Sequence, residues 1–253
     1  MGGHTAFATK GEADKEVFDV LQLYNDVYEK LLAVPVIKGI KSDNEIAGGL
    51  YTARVEAFIP SASRDKKGHR STVWQNSWGL NIRSIGVMVM THGDGKGLVF
   101  PPLVAPVQVI VITVPFIGID TEILDKACEA VTSTLLEVGI RAEADYRDNY
   151  ACGWKYSDWE KKGVPLRIKI GPRDLTKNHV RIVKRDTGAR ADILRGDLVE
   201  QVKDMLGKIQ IRLFDEAKRK NDACTQKVET WNKFMEALSQ KKLILAPCGE
   251  VCQ

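Results

Sequence analysis

The chain has 253 residues, of which 44% are hydrophobic and 28% are charged, a composition typical of one large or two ordinary globular domains. No apolar run approaches the roughly 20 residues of a membrane span, and the first residues lack the basic and then apolar pattern of a signal peptide. The formal net charge of +4 is compatible with nucleic-acid contact but does not require it.

The N-terminal residues predict an extended segment followed by an amphipathic helix. Residues 1–9 favour a strand, and Thr9 and Glu12 form a capping box at the start of the helix. Apolar residues then recur at helical spacing, and the helix is expected to end near Ala33. A strand is expected at residues 34–38.

The next segment predicts one more strand and then a polar loop. Gly48-Gly49 interrupts the chain before residues 50–60, whose alternation suits a strand. Residues 65–72 are polar, so we expect His69 to be a solvated loop residue.

Residues 74–102 combine a polar aromatic opening, an apolar run, a glycine-rich loop and a double proline. The apolar run at residues 84–89 alternates, which suits either a strand or a tightly packed helix start. The loop at residues 92–97 is expected to be flexible, and it lacks the spacing of a Walker phosphate cradle. On spacing alone, a packed core element with a linker explains this segment as well as a functional site does.

A second domain is expected to begin after Pro101-Pro102. Residues 107–114 are nearly all β-branched, as in a strand that is buried on both faces. Asp120 or Thr121 caps a helix, and residues 140–145 alternate as a half-covered strand. A strand, a helix and a strand of these lengths predict a parallel βαβ unit.

Residues 147–163 interleave aromatic side chains with cations, which provides stacking surfaces and phosphate partners. Two strands are expected next, at residues 164–170 and 180–185. On residues alone, this domain binds either nucleotides or a protein. Beyond it we predict a helix from Asp197 towards Lys220, then a helix around Trp231 and a short strand at residues 243–246.

The string WQNSWGLNIRSIGVMVMTHGDGKGLVFPP at residues 74–102 closely resembles motif 3 of the prolyl-tRNA synthetases of the eukaryotic type. The resemblance implies that Arg83 binds the triphosphate of ATP, and a permanently charged guanidinium suits phosphate oxygens. It also makes Asn81 a candidate ATP contact.

Two strings nearer the N-terminus resemble other parts of the same family's active site. GHTAFAT resembles the second half of motif 2, which implies that Phe7 stacks on adenine and that Thr5 is a polar contact. GGLYTARVEAF resembles the segment that lines the proline pocket. Phe58 is then an apolar wall for the pyrrolidine ring, and Glu56 either receives a charged group or is an exposed strand carboxylate.

The string GWKYSDWEKKGVPLRIKIGPRDL closely resembles the anticodon-binding domain of this family. That domain recognises splayed anticodon bases, which are open to stacking and edge hydrogen bonds. The resemblance implies that Lys155, Arg167 and Arg173 contact the anticodon. The alternative for each is a surface cation in an ion pair.

The resemblance implies a fold of mixed α+β and α/β class. We expect part of a class II synthetase antiparallel-sheet catalytic domain at residues 1–102, an α/β anticodon-binding domain with a βαβ unit at 103–195, and a partial helical C-terminal domain at 196–253. Motif 1 and the first strand of motif 2 have no counterpart in the sequence, and residues 65–72 replace the glycine-rich proline-pocket segment. A product that is truncated at both ends and internally is therefore expected.

The five cysteines are odd in number and mostly scattered, which fits reduced thiols in a cytoplasmic protein. Cys128 is expected to pack within a helix rather than to react. Cys248 and Cys252 resemble the first pair of a zinc site in the family's C-terminal domain. Because two thiolates cannot complete a tetrahedral site, no stable zinc is expected.

The resemblance implies a proline–tRNA ligase that activates proline with ATP and Mg²⁺ as prolyl-adenylate and transfers it to tRNA(Pro) during translation. This chemistry needs positioning and charge stabilisation rather than a side-chain nucleophile, so no catalytic residue is assigned. Members of the family form homodimers. The alternative is a catalytically inactive synthetase fragment that binds tRNA or a synthetase partner.

Overall fold

The computed structural model divides the chain into two compact units, Met1–Val87 with Phe214–Gln253, and Met88–Leu213. The domain boundaries that the sequence predicts remain predictions. The structure describes residues 2–41, 51–57, 75–79, 83–115 and 121–247. In chain order its elements are β1 (Gly2–Ala6), α1 (Lys10–Asp26), a π-helical turn (Val27–Leu31), β2 (Val36–Lys41), β3 (Thr52–Ala57), β4 (Gln75–Gly79), α2 (Arg83–His92), β5 (Val109–Thr113), α3 (Thr121–Glu137), β6 (Ala142–Asp145), α4 (Cys152–Lys161), β7 (Leu166–Ile170), α5 (Pro172–Thr176), β8 (His179–Lys184), β9 (Arg190–Leu194), α6 (Leu198–Cys224), β10 (Thr225–Lys227), α7 (Trp231–Ser239) and β11 (Leu243–Leu245).

The first unit contains three two-stranded pairings. β1 pairs with β4 and β2 pairs with β3, both antiparallel, while β10 and β11 are parallel. The predicted capping box opens α1: the Thr9 hydroxyl accepts from the Glu12 N–H, and the Glu12 carboxylate accepts from the Thr9 N–H at 3.2 Å. Two orphan amides at the helix start are thereby satisfied.

The second unit is built on a five-stranded sheet in the order β6-β5-β7-β8-β9. β5 runs parallel to both β6 and β7, and β8 and β9 follow antiparallel. Every residue of β5 is buried, because its β-branched side chains are covered on both faces of the sheet. The predicted parallel pairing of a βαβ unit is confirmed.

The strand β7 alternates as predicted. Leu166, Ile168 and Ile170 are fully buried on one face, and Arg167 and Lys169 lie on the other face at intermediate exposure. Cys128 of α3 is also fully buried, and burial raises the pKa of its thiol to about 12. A neutral packing role, as predicted from the sequence, follows from this environment.

The alternating run at residues 84–89 is helical, which resolves the two readings left open by the sequence. It belongs to α2, where Ser84 and Met88 are buried and Ile85 is exposed. The buried pair is four residues apart, so one helical face, rather than every second residue, is covered.

The glycine-rich segment after α2 is a loop, as predicted, and it packs closely on the end of α4. The Leu98 N–H donates to the Lys161 oxygen at 3.0 Å, and the Phe100 N–H donates to the Gly163 oxygen at 3.2 Å. Gly97 has φ +132°, and a Cβ there would lie 2.7 Å from the Lys161 oxygen. Glycine is therefore required for this approach.

Among the described elements, β4, α4, α5, β9 and β10 were not predicted from the sequence. α6 also continues beyond Lys220 to Cys224. Within the described ranges, no helix is long and apolar enough to cross a membrane.

Candidate functional sites

Three of the four residues predicted to contact ATP lie within the described parts of the first unit. The Thr5 hydroxyl, on β1, donates to the Glu16 carboxylate of α1, which fixes the end of the strand against the helix. Phe7 follows β1 and is half-buried, and Arg83 is the first residue of α2 and is exposed. Asn81 lies outside the described residues, so the arrangement of this group around a nucleotide remains a prediction.

Of the two residues predicted to contact proline, only Glu56 is described. It lies on β3 with an exposed carboxylate, 3.3 Å from the Arg54 guanidinium. This geometry agrees with the alternative that Glu56 is an exposed strand carboxylate. Because the ion pair is solvated, a ligand could replace Arg54 at little cost in free energy. Phe58 lies outside the described residues.

Arg167 occupies an unusual position on β7. Its guanidinium carbon lies 4.2 Å from the ring centroid of Tyr156 on α4, and its Nε is buried without a hydrogen-bond partner among the described residues. Burial lowers the pKa of this guanidinium. A half-buried cation that rests on an aromatic ring and lacks a carboxylate partner in the described structure is poised to receive an acceptor.

A shallow, open surface pocket adjoins this guanidinium. Besides Arg167 it is lined by Ile110, Trp159, Glu160, Val164, Val183, Lys184 and Arg185. Its wall is therefore partly aromatic and aliphatic with several cations, a lining that suits a nucleobase more than a bulky apolar ligand.

The sheet face beside the pocket is rich in cations because of the strand register. Lys169 of β7 pairs with Arg181 of β8, and Val183 of β8 pairs with Arg190 of β9, and cross-strand partners lie on the same face. Burial lowers the pKa of Lys169, and the neighbouring Arg181 and Arg190 lower it further. Arg181 is neutralised by Asp192, its Nη2 lying 2.6 Å from the carboxylate.

The other two predicted anticodon residues have opposite environments. Arg173 lies on α5 and is exposed, so it is accessible to a ligand. Lys155 is buried in α4, with its side chain 5% exposed, and its Nζ donates to the backbone oxygen of Asp145 at 3.2 Å. This burial argues against the predicted RNA contact of Lys155 and gives it a structural role.

Asp145, at the end of β6, organises a cluster that the sequence did not identify. Its carboxylate is 1% exposed and accepts hydrogen bonds from Arg147 at 2.6 Å and from the Trp159 indole at 2.7 Å. Burial alone would raise the pKa of Asp145, but these hydrogen bonds lower it to about 2. Arg147 also bonds Asp158 at 3.0 Å.

No group of three or more histidine, cysteine, aspartate or glutamate side chains in the described ranges is arranged to hold a metal ion. Cys248 and Cys252 lie outside those ranges, so the expectation about zinc remains a prediction.

Comparisons with known proteins agree with the fold. Residues 107–205 match the family model of the anticodon binding domain. The chain is 56% identical over 273 aligned positions to the cytoplasmic proline–tRNA ligase of Arabidopsis thaliana, and this covers 98% of the chain and 52% of that protein.

A second curated protein and a solved structure are also similar to nearly all of the chain. The bifunctional glutamate/proline–tRNA ligase of Drosophila melanogaster is 42% identical over 98% of the chain and 16% of its own length. A crystal structure of prolyl-tRNA synthetase from Cryptosporidium parvum, complexed with L-proline and AMP, matches with a TM-score of 0.89 at 42% identity, over 97% of this chain and 58% of that one. The chain thus spans about half the length of the Arabidopsis relative, and over nearly all of its residues it is similar in sequence and fold to the corresponding part of prolyl-tRNA synthetases.

Proposed function

We propose that the chain takes part in proline–tRNA ligation in the cytoplasm, as a homodimer. The proline carboxylate attacks the α-phosphorus of ATP, pyrophosphate leaves, and the terminal ribose hydroxyl of tRNA(Pro) then displaces AMP from prolyl-adenylate. The observation that carries the proposal is the 56% identity to a named proline–tRNA ligase across 98% of the chain. A structural relative complexed with L-proline and AMP supports the same two ligands.

The residues divide between the two units by ligand. In the first unit Arg83 binds the triphosphate of ATP, which enters with Mg²⁺ as its substrate complex. Phe7 stacks on the adenine, and Asn81 and Thr5 are further contacts of ATP. Positioned cations stabilise the charge that develops on the phosphate during attack. Phe58 and Glu56 border the bound proline.

The second unit binds the anticodon of tRNA(Pro), with Arg167 and Arg173 as contacts. A half-buried guanidinium without a carboxylate partner in the described structure costs free energy in the unliganded protein. A base edge or a phosphate that accepts from Arg167 would offset that cost, and the stacking on Tyr156 keeps the planar donor group oriented for such an acceptor.

Exchange of labelled pyrophosphate into ATP, dependent on proline, tests the ligase proposal directly on the purified chain. We expect exchange above background, and we expect Arg83→Ala to lower its rate about 100-fold or more, as is usual when one stabilising donor is removed. Lys10→Ala is the matched control, because Lys10 is a helical cation whose described partner is Asp14 in the next turn. Exchange at background in the presence of saturating proline would contradict the proposal.

RNA binding by the second unit is tested by fluorescence anisotropy with a labelled tRNA(Pro) transcript at fixed salt. We expect Arg167→Ala to weaken binding about tenfold or more, because arginine contacts to base edges are typically worth about 1–3 kcal/mol. Arg181→Ala removes a cation of the same face that is already paired with Asp192, so its effect is expected to be small. Equal tRNA(Pro) affinities for the two variants, with unchanged thermal unfolding, would show that Arg167 does not contact the RNA.

RNA binding without proline activation is the second candidate function. It is supported by the anticodon binding domain match, which spans residues 107–205 and so includes all five strands of the sheet. Binding of the tRNA transcript by a chain that gives no exchange would favour this candidate over the ligase.

A further inference from the structure

An exposed pair of aromatic rings lies beside the Asp145 cluster, apart from the Arg167 guanidinium. Tyr150 precedes α4 and Trp154 lies in its first turn. Their ring centroids are 3.9 Å apart with an interplanar angle of 12°. The two residues remain 39% and 45% exposed, so the ring stack is formed within the protein but still presents aromatic surface to solvent.

This stack is held in place by a cation that is itself anchored. The Arg147 guanidinium lies 5.5 Å from the centroid of Tyr150 and 5.2 Å from that of Trp154. Arg147 donates through Nε at 2.9 Å and Nη2 at 2.6 Å to the buried Asp145 carboxylate. The cation cannot swing away without losing these charge-assisted bonds, so the rings keep their positions when no ligand is bound.

The charges around the stack do not repel a phosphate. Arg147 remains partly exposed. The ion-paired group contains three cations, Arg147, Lys155 and Lys162, and two carboxylates, Asp145 and Asp158. With the exposed Asp148 between Arg147 and Tyr150 the charges balance, so an approaching phosphate meets no net repulsion while the rings supply a flat stacking surface.

We propose that Tyr150 and Trp154 form a stacking platform for one unpaired base of a bound RNA, with Arg147 as the residue that positions the platform. This inference rests on the proposed RNA-binding function. It goes beyond it by assigning a second contact, made through a ring face, in addition to the hydrogen-bonding site at Arg167. An ordered ring pair costs little conformational entropy on binding, since its geometry already exists in the free protein.

The test compares Trp154→Ala with the unaltered chain in the tRNA(Pro) anisotropy assay at several salt concentrations. We expect affinity to fall about 5-fold to 100-fold, because stacking on one base is typically worth about 1–3 kcal/mol. The slope of log affinity against log salt should not change, because no phosphate-binding cation is removed. Trp154→Phe keeps a ring and should retain most of the affinity.

Trp231→Ala supplies the matched control. Trp231 is also exposed and also stacked, on Phe234 with centroids 5.3 Å apart and an interplanar angle of 13°. No arginine or lysine of the described structure stacks on it. We expect this variant to bind tRNA as the unaltered chain does.

The outcomes separate the platform from the function on which it rests. Weakened binding by Arg167→Ala with full binding by Trp154→Ala would overturn the platform and leave the proposed function standing. Equal losses for Trp154→Ala and Trp231→Ala would also overturn it. If the unaltered chain binds no RNA, both the proposed RNA binding and the platform are wrong.

Discussion

Replacement of Asp145 by alanine is expected to lower the free energy of unfolding of the second unit by about 3–5 kcal/mol, the usual cost of removing one partner of a buried ion pair. The Asp145 carboxylate accepts from Arg147 and from the Trp159 indole, and the buried Lys155 ammonium lies 3.9 Å away. Without the carboxylate, these donors lose their acceptor in a poorly hydrated place. Urea unfolding followed by tryptophan fluorescence measures the change.

The matched control for this prediction is Asp192→Ala. Asp192 also pairs with an arginine, Arg181, but both side chains are largely exposed, so the loss should stay below about 1 kcal/mol. Similar losses for the two variants would mean that the Asp145 cluster contributes no more than a surface ion pair.

The same carboxylate predicts how stability depends on pH. Burial would raise the folded-state pKa of Asp145, but the hydrogen bonds from Arg147 and Trp159 outweigh it and lower this pKa to about 2, below the ordinary value of 3.8. Its contribution is therefore complete above about pH 4 and is lost as the pH falls towards 2. The Asp145→Ala variant should lack this component of acid sensitivity in a series of urea titrations that runs from above the unfolded-state pKa of about 4 to below the folded-state pKa of about 2.

Replacement of Arg185 by alanine is expected to cost roughly 2–4 kcal/mol. The Arg185 side chain is 3% exposed. It donates twice to the Asp94 carboxylate, at 2.8 and 2.7 Å, and once to the backbone oxygen of Glu160 at 2.7 Å. The hydrogen bonds from Arg185 hold the pKa of Asp94 well below its usual range. Through its bonds to Asp94 and to Glu160, Arg185 links the glycine-rich loop to the end of α4.

Lys96→Ala serves as the control on the same loop. Lys96 pairs with Glu160 at 3.0 Å, but its side chain is exposed, so its removal should change the unfolding free energy by less than about 1 kcal/mol. Thermal or urea unfolding distinguishes the two variants. An Arg185→Ala protein as stable as the Lys96→Ala protein would show that the loop is held by its backbone contacts alone.

Strands and helices with a strong pattern were predictable from the sequence. The β-branched run of β5 and the alternation of β7 each depend on residues that are buried in the final sheet. β9 was missed because it is a sheet edge whose only buried residue is Ile193, so its sequence carries almost no periodic signal. The apolar run that begins at Ser84 was ambiguous because six residues are too few to distinguish the period of a helix from that of a strand.

The candidate sites were predictable only in part, since their geometry depends on contacts between distant residues. The sequence places Lys155 among exposed cations, but its Nζ is buried and donates to the backbone oxygen of Asp145, ten residues earlier. The pairing of Arg185 with Asp94 joins residues 91 positions apart, and nothing local predicts it. Arg167 was identified through the family resemblance, whereas its stacking on Tyr156 required the folded sheet.

The position of β5 in the sheet has a consequence for the growing polypeptide. Its two neighbours, β6 and β7, both come later in the chain, so a nascent chain that leaves the ribosome from its N-terminus first presents a fully apolar strand with both edges open. That strand stays exposed to pairing with other nascent chains until Ile170 has emerged. Slow translation or stalling between β5 and β7 would therefore be the moment of greatest aggregation risk for this protein.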